Sequence, residues 1–169
     1  EMAREMGLHV RVGYIGGGTP SSLTTSQLES LLNHIEKHFG TMEEFTVEAG
    51  RPDTLDEQKL RMIHHHPVTR ISINPQTMND ETLVRIGRAH TAQQTIQAYR
   101  LARHIGFDDI NMDVIAALPG ENYAMFAHTL EEIRKLQPES LTVHTLAIKR
   151  SSRLHEEKYA QREQDVARM

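Results

Sequence analysis

The stretch INMDVIA, Ile110 to Ala116, sets Asn111 and Asp113 between Ile110, Met112 and Val114. A period of two marks a β-strand whose two faces differ, one apolar and one polar. Two further stretches read the same way. FTVEA, Phe45 to Ala49, groups Thr46 and Glu48 against Phe45, Val47 and Ala49, and RISINPQ, Arg70 to Gln76, groups Ser72, Asn74 and Gln76 against Ile71 and Ile73. An open doubly wound sheet is covered by helices on both faces and favours strands that are apolar throughout. A barrel whose interior holds a ligand accommodates polar groups there. The pattern therefore predicts a barrel, with the polar face as its lumen.

Runs rich in β-branched residues at Val10 to Ile15, Phe45 to Ala49, Arg70 to Ile73, Ile110 to Leu118 and Leu141 to Ile148 give five strands in all. Helical patterns separate them. Ser26 to Phe39 carries Leu28, Leu31, Leu32, Ile35 and Phe39 on one face, and Leu55 to His66 carries Leu60 and Ile63. Glu81 to Ile86 and Thr91 to Ile105 form a helix pair, and Tyr123 to Leu136 ends before Pro138. The order β-α-β-α-β-α-α-β-α-β implies a parallel α/β sheet or an incomplete barrel.

The chain has 169 residues, a formal net charge of −4 and no cysteine. That length suits one domain. The charge offers no basic footprint for nucleic acid. No apolar run reaches the roughly 18 residues of a membrane helix, and no signal peptide is visible, so a cytoplasmic protein is expected. Without cysteine there is neither a disulfide nor a thiolate metal ligand in these residues. The chain opens on Glu1 and stops at Met169 within a charged helical pattern, which reads as a piece of a longer protein. Residues 1–150 are expected to form the barrel portion and 151–169 to begin a helical extension.

The candidate ligand groups gather towards the C-terminal ends of the strands, where parallel α/β architectures bind ligands. They are Gly16 to Gly18, Glu48, Gln76 and Asp113. Each has a plainer reading beside the functional one. The glycines in GYIGGGTPSSL, Gly13 to Leu23, suit a strand-to-helix turn as well as a ligand, and their spacing matches no phosphate-binding motif. Glu48 and Asp113 are either ion-paired or face water or ligand, because an unpaired buried carboxylate is costly. His64, His65 and His66 point three ways on a helix, and a favourable helix C-terminus explains them better than a metal does. No metal ligand is assigned. Of the other histidines, His144 alone falls on the expected lumen face.

Six stretches, in this order and spacing, carry a resemblance: YIGGGTP, TVEAGRPD, RISINPQTM, IGRAH, GFDDINMDVIAALPGE and LTVHTLAIKRSSRL. The chain resembles the radical S-adenosylmethionine enzymes, and among them the oxygen-independent coproporphyrinogen III oxidase (coproporphyrinogen dehydrogenase) family, from Val10 to about Leu154. The resemblance implies a partial (β/α)6 TIM-like barrel, represented here by about five parallel strands, with the first strand and its cluster loop missing. It implies that Gly17, Gly18 and Thr19 offer backbone to the amino group of S-adenosylmethionine. By the same match Glu48 lies near the methionine and ribose part, Gln76 and Arg88 hold the ribose and carboxylate region, Asp113 is a further cofactor acid, and the Ala147 backbone meets the adenine.

The implied reaction is oxidative decarboxylation of coproporphyrinogen III to protoporphyrinogen IX in haem synthesis, begun by a radical from S-adenosylmethionine and a [4Fe-4S] cluster. Two features depart from the family. Its cluster loop carries three cysteines and this chain carries none, so these residues alone are expected to be inactive. INPQ, Ile73 to Gln76, stands where Gly-Val more often precedes the glutamine, and Pro75 removes a backbone donor. Two alternatives remain at this point, a relative that binds haem as a chaperone and a barrel enzyme binding a phosphorylated substrate at GGGTPSS.

Overall fold

The computed structural model describes residues 5–7 and 9–146 of the chain. Strands and helices alternate along it: β1 (Val12–Ile15), α1 (Thr25–Phe39), β2 (Glu44–Glu48), α2 (Glu57–His65), β3 (Arg70–Gln76), α3 (Asp80–Arg85), α4 (Ala92–Ile105), β4 (Ile110–Ala116), α5 (Tyr123–Leu136) and β5 (Ser140–Thr145). Short 3-10 turns, Pro20–Ser22 and Pro52–Thr54, follow β1 and β2. The expected helical extension and Ala147 lie outside the described residues.

Helix boundaries follow from side-chain chemistry. Thr24 and Gln27 form a capping box at the start of α1, and Thr91 and Gln94 form another at α4. Asp56 and Asn122 accept from the third backbone N–H of α2 and α5. At the far ends, Gly40 after α1 and Gly106 after α4 take positive φ, which a glycine adopts without a Cβ penalty.

All neighbouring strands are parallel, and the sheet order is β1-β2-β3-β4-β5. Crossovers between parallel strands are right-handed almost without exception, so a sequential order sends every connecting helix to the same face. The core agrees. Leu28 and Leu32 of α1, Leu60 and Ile63 of α2, Tyr99 of α4 and Ile133 of α5 form one cluster with the outward residues of the strands. Phe45, Val47, Ile71, Ile73, Ile110, Met112 and Val114 supply the sheet side of it. Five parallel strands with helices on one face make a half-barrel. The alternation in β2, β3 and β4 falls as the sequence implies, with Thr46, Ser72, Asn111 and Asp113 lining the concave face.

One strand departs from simple alternation. Ile73 pairs with Met112, but the next matched pair is Gln76 with Val114, so three steps of β3 stand against two of β4. This bulge accommodates Pro75, which has no N–H to give a ladder. Grouping Gln76 with Ser72 and Asn74 by parity does not carry through it. Gln76 is reached with φ at 66°, opposite Val114, which faces the helices and not the lumen.

Candidate functional site

The loop leaving β1 and the end of β2 form the first part of the site. Glu48, the last residue of β2, accepts the Gly17 N–H at Oε2 (3.2 Å) and the Asn74 amide at Oε1 (3.2 Å). Two glycines make room for that carboxylate. A Cβ on Gly16 would collide with the Tyr14 ring and lie 2.9 Å from Glu48 Oε2, and one on Gly50 would lie 3.0 Å from Oε1. Gly17 needs its own φ of 109°, whereas a Cβ on Gly18 would meet nothing within 4 Å. The crowded glycine is thus Gly16, and Gly18 borders open space beside bare backbone.

From Glu48 a chain of hydrogen bonds crosses the concave face. Ser72 donates to Asn74 (2.7 Å), and Asn111 donates to both Ser72 (2.9 Å) and Asp113 (2.6 Å). Ser140 and Thr142 of β5 donate to Asn111 Oδ1 at 3.0 and 3.1 Å. Asp113 sits mid-strand in β4, one inward position below Ile115, with His144 Nε2 at 3.9 Å. Tyr14 stands between the two acids: burial, then the negative fields of Glu48 and Asp113, push its phenol above the ordinary value. Lower in the lumen, Arg70 is held by Glu44 and Asp109, both at 2.9 Å.

Arg88 lies in the loop between α3 and α4, half-buried, and its guanidinium makes no hydrogen bond or ion pair among the described residues. Burial and the nearby Arg51 lower its pKa, while Asp53 and Glu48 act the other way. It therefore shares an electrostatic neighbourhood with Glu48. The three adjacent histidines diverge. His64 packs edge-on against Phe107, and His66 pairs with Glu36.

Backbone strain concentrates at this end of the sheet. Thr19, Gln76 and Ala117 all have positive φ without being glycine, and they follow or end β1, β3 and β4. Such residues persist only where the surroundings over-determine them. The surroundings are visible. Lys59, 8% exposed, donates to Ser21 O (2.6 Å) and Thr54 O (3.1 Å), and Thr54 donates to Ser21 Oγ (2.7 Å), which ties the loop after β1 to that after β2. Beyond β3, Thr77 donates to Glu121 (2.5 Å), and Asn79 donates to Glu121 (3.0 Å) and Thr129 (3.2 Å).

The structure thus brings Gly17, Gly18, Thr19 and Glu48 together at one end of the sheet, with Asp113 on the same face but mid-strand and not at the strand end expected from the sequence, Gln76 beyond the bulge, and Arg88 within the fields of Arg51, Asp53 and Glu48. Sequence reasoning did not single out Tyr14, Asn74, Asn111 or Lys59. Parity placed Asn74 and Asn111 on the polar face, and a partner for each carboxylate was the signal to look for. Nothing local in the sequence marks Lys59, whose acceptors are backbone carbonyls.

The model of the Radical SAM superfamily matches residues 1–133. The chain belongs to that superfamily. This radical SAM chain is 46% identical over 171 aligned positions to the "oxygen-independent coproporphyrinogen-III oxidase-like protein HemZ" of Bacillus subtilis (strain 168), covering 97% of the chain and 34% of that protein. It is 36% identical over 138 positions to the "heme chaperone HemW" of the same organism, covering 80% and 36%. Among solved structures, the coproporphyrinogen III oxidase HemN of Escherichia coli superposes with a TM-score of 0.79 at 27% identity, covering 94% of this chain and 36% of that one. The chain spans about a third of the length of the curated relatives it matches.

The donor set can be tested against the two groups that the superfamily implies. S-adenosylmethionine carries an ammonium, a carboxylate, a sulfonium and a ribose diol. Among the described residues, two carboxylates without a lysine or arginine partner, a guanidinium without a carboxylate partner and bare backbone at Gly18 complement that pattern. The cluster does not fit these residues, since the radical SAM chain has no thiolate to offer iron. No helix among the described residues is long and apolar enough to cross a membrane.

Proposed function

We propose that these residues are the S-adenosylmethionine-binding part of an oxygen-independent coproporphyrinogen oxidase that works in the cytoplasm, in a chain whose cluster-binding cysteines lie outside this sequence. The observation that carries the reading is the Glu48 carboxylate, fixed at the Gly17 N–H beside open backbone and within electrostatic range of the Arg88 guanidinium, which has no ion pair among the described residues. Identity to HemZ supports the choice of substrate class. Glu48 and Asp113 would receive the cofactor's cationic and hydroxyl groups, Arg88 its carboxylate, and Gly17 to Thr19 its amino end. The chemistry such a cofactor supplies when bound is hydrogen abstraction from a substrate side chain. The protein's share is binding, orientation and exclusion of water.

A second reading is a haem chaperone of the HemW kind, supported by 36% identity to one. The deciding experiment uses the intact protein, purified without oxygen and supplied with S-adenosylmethionine, a reductant, coproporphyrinogen III and an electron acceptor. Mass spectrometry should detect 5′-deoxyadenosine and vinyl products, and both should disappear in Glu48→Ala and Asp113→Ala. Haem retained without any decarboxylated product, under conditions where a known oxidase turns over, assigns the chaperone role instead.

A further inference from the structure

His90 is 2% exposed and lies two residues beyond Arg88. Its Nε2 is 3.2 Å from the carbonyl oxygen of Pro75, inside the β3 bulge. A carbonyl only accepts, so Nε2 carries the proton and Nδ1 is left as an acceptor. That Nδ1 is buried without a hydrogen-bond partner, 3.9 Å from Asp53 Oδ1. Burial lowers the His90 pKa against the opposing contribution of the Pro75 bond, which suits a neutral ring with this one tautomer. An imidazole buried for the sake of a single hydrogen bond calls for an explanation in that bond.

The next residue supplies one. Pro75 precedes Gln76, which holds φ at 66° as the strand ends. On its other side Thr77 is fixed by Glu121 (2.5 Å) and Thr129 (3.1 Å). Gln76 is therefore pinned from both neighbours in a conformation that it would not adopt freely. We propose that His90 is a positioning residue: by holding the Pro75 carbonyl it sets the backbone at Gln76 and so presents that residue to the cofactor. The proposal rests on the proposed S-adenosylmethionine site and on the family resemblance by which Gln76 holds the ribose and carboxylate region of that cofactor.

The test compares the intact wild-type protein with His90→Ala, His90→Gln, His90→Asn, Gln76→Ala and the double variant His90→Ala/Gln76→Ala. Two quantities are read, amide hydrogen exchange across residues 75–78 without cofactor and the dissociation constant for S-adenosylmethionine by equilibrium dialysis. Losing the bond should speed exchange in that segment and weaken binding by about tenfold. The longer Gln side chain reaches the Pro75 carbonyl and should restore both, whereas Asn should not. In the Gln76→Ala background the His90→Ala change should add nothing, because its effect passes through Gln76. Equal losses in both backgrounds, or Gln binding as poorly as Asn, overturn the proposal. If His90→Ala does not fold, the Gln and Asn pair decides alone. Gln76→Ala binding like wild type removes Gln76 from the cofactor and takes the proposal with it, whereas weakened Gln76→Ala with unchanged His90→Ala overturns the positioning role only.

Discussion

Gly16 and Gly18 lie two residues apart, yet the structure assigns them opposite sensitivities. A methyl group on Gly16 meets the Tyr14 ring and the Glu48 carboxylate, so Gly16→Ala should lower stability by about 1–3 kcal/mol, read as a shift in the urea midpoint. Gly18→Ala meets no atom within 4 Å and should leave that midpoint unchanged while weakening S-adenosylmethionine binding. A midpoint that falls equally in both variants contradicts this division. The sequence showed three glycines in a row but not which of them is crowded, because the crowding depends on where the Tyr14 ring turns and on a carboxylate 32 residues away. The placement of Glu48 and Asp113 on the polar face was legible because each stands at a polar position in an otherwise apolar alternation. Arg88 was singled out through the resemblance alone. It sits in a loop, where periodicity carries no information.

The strands and helices themselves were readable, since each combines a clear period with a capping residue or a proline. The bulge in β3 was not. Pro75 signals an irregular strand end, but the extra residue shows only in the pairing with β4. The tie between the first two loops was equally hidden. Lys59→Met keeps the aliphatic stem of that side chain and removes its ammonium, leaving Ser21 O and Thr54 O without their donor. A loss of about 1–3 kcal/mol is expected, with faster proteolysis of the Gly16 to Leu23 loop. Unchanged proteolysis there would show that the loop is held by other contacts. At the opposite ends of the strands, Glu139 joins three elements by accepting the Ile110 N–H (2.9 Å) and the Arg103 guanidinium of α4 (2.5 Å) as the chain enters β5. Burial opposes its ionisation, but those two partners outweigh burial and hold the carboxyl below its ordinary value of 4.5. A carboxyl depressed on folding stabilises the fold above its unfolded pKa and loses that contribution as pH falls through the folded value. The urea midpoint should therefore drop as pH is lowered from 4.5, and Glu139→Gln should flatten that part of the profile. Identical slopes in both proteins would remove Glu139 from the acid response.

The half-barrel leaves two edges among the described residues, β1 and β5. Val12 and Tyr14 are each 61% exposed, and Leu141 and Val143 of β5 are 41% and 52% exposed on the face that elsewhere carries the core. Open parallel edges with apolar side chains are templates for further pairing. The 169-residue chain on its own should therefore sediment with a mass that rises with concentration. Val143→Lys should reduce that rise, and a concentration-independent monomer mass would show that the edges are protected.

The strand order β1-β2-β3-β4-β5 has a consequence for synthesis. Domains tend to fold from the N-terminus as the chain emerges from the ribosome. Here each strand after the first finds its neighbour already made. A half-finished chain is then a shorter version of the same sheet, and arrest after α2 or any later helix leaves every earlier strand beside the neighbour it keeps.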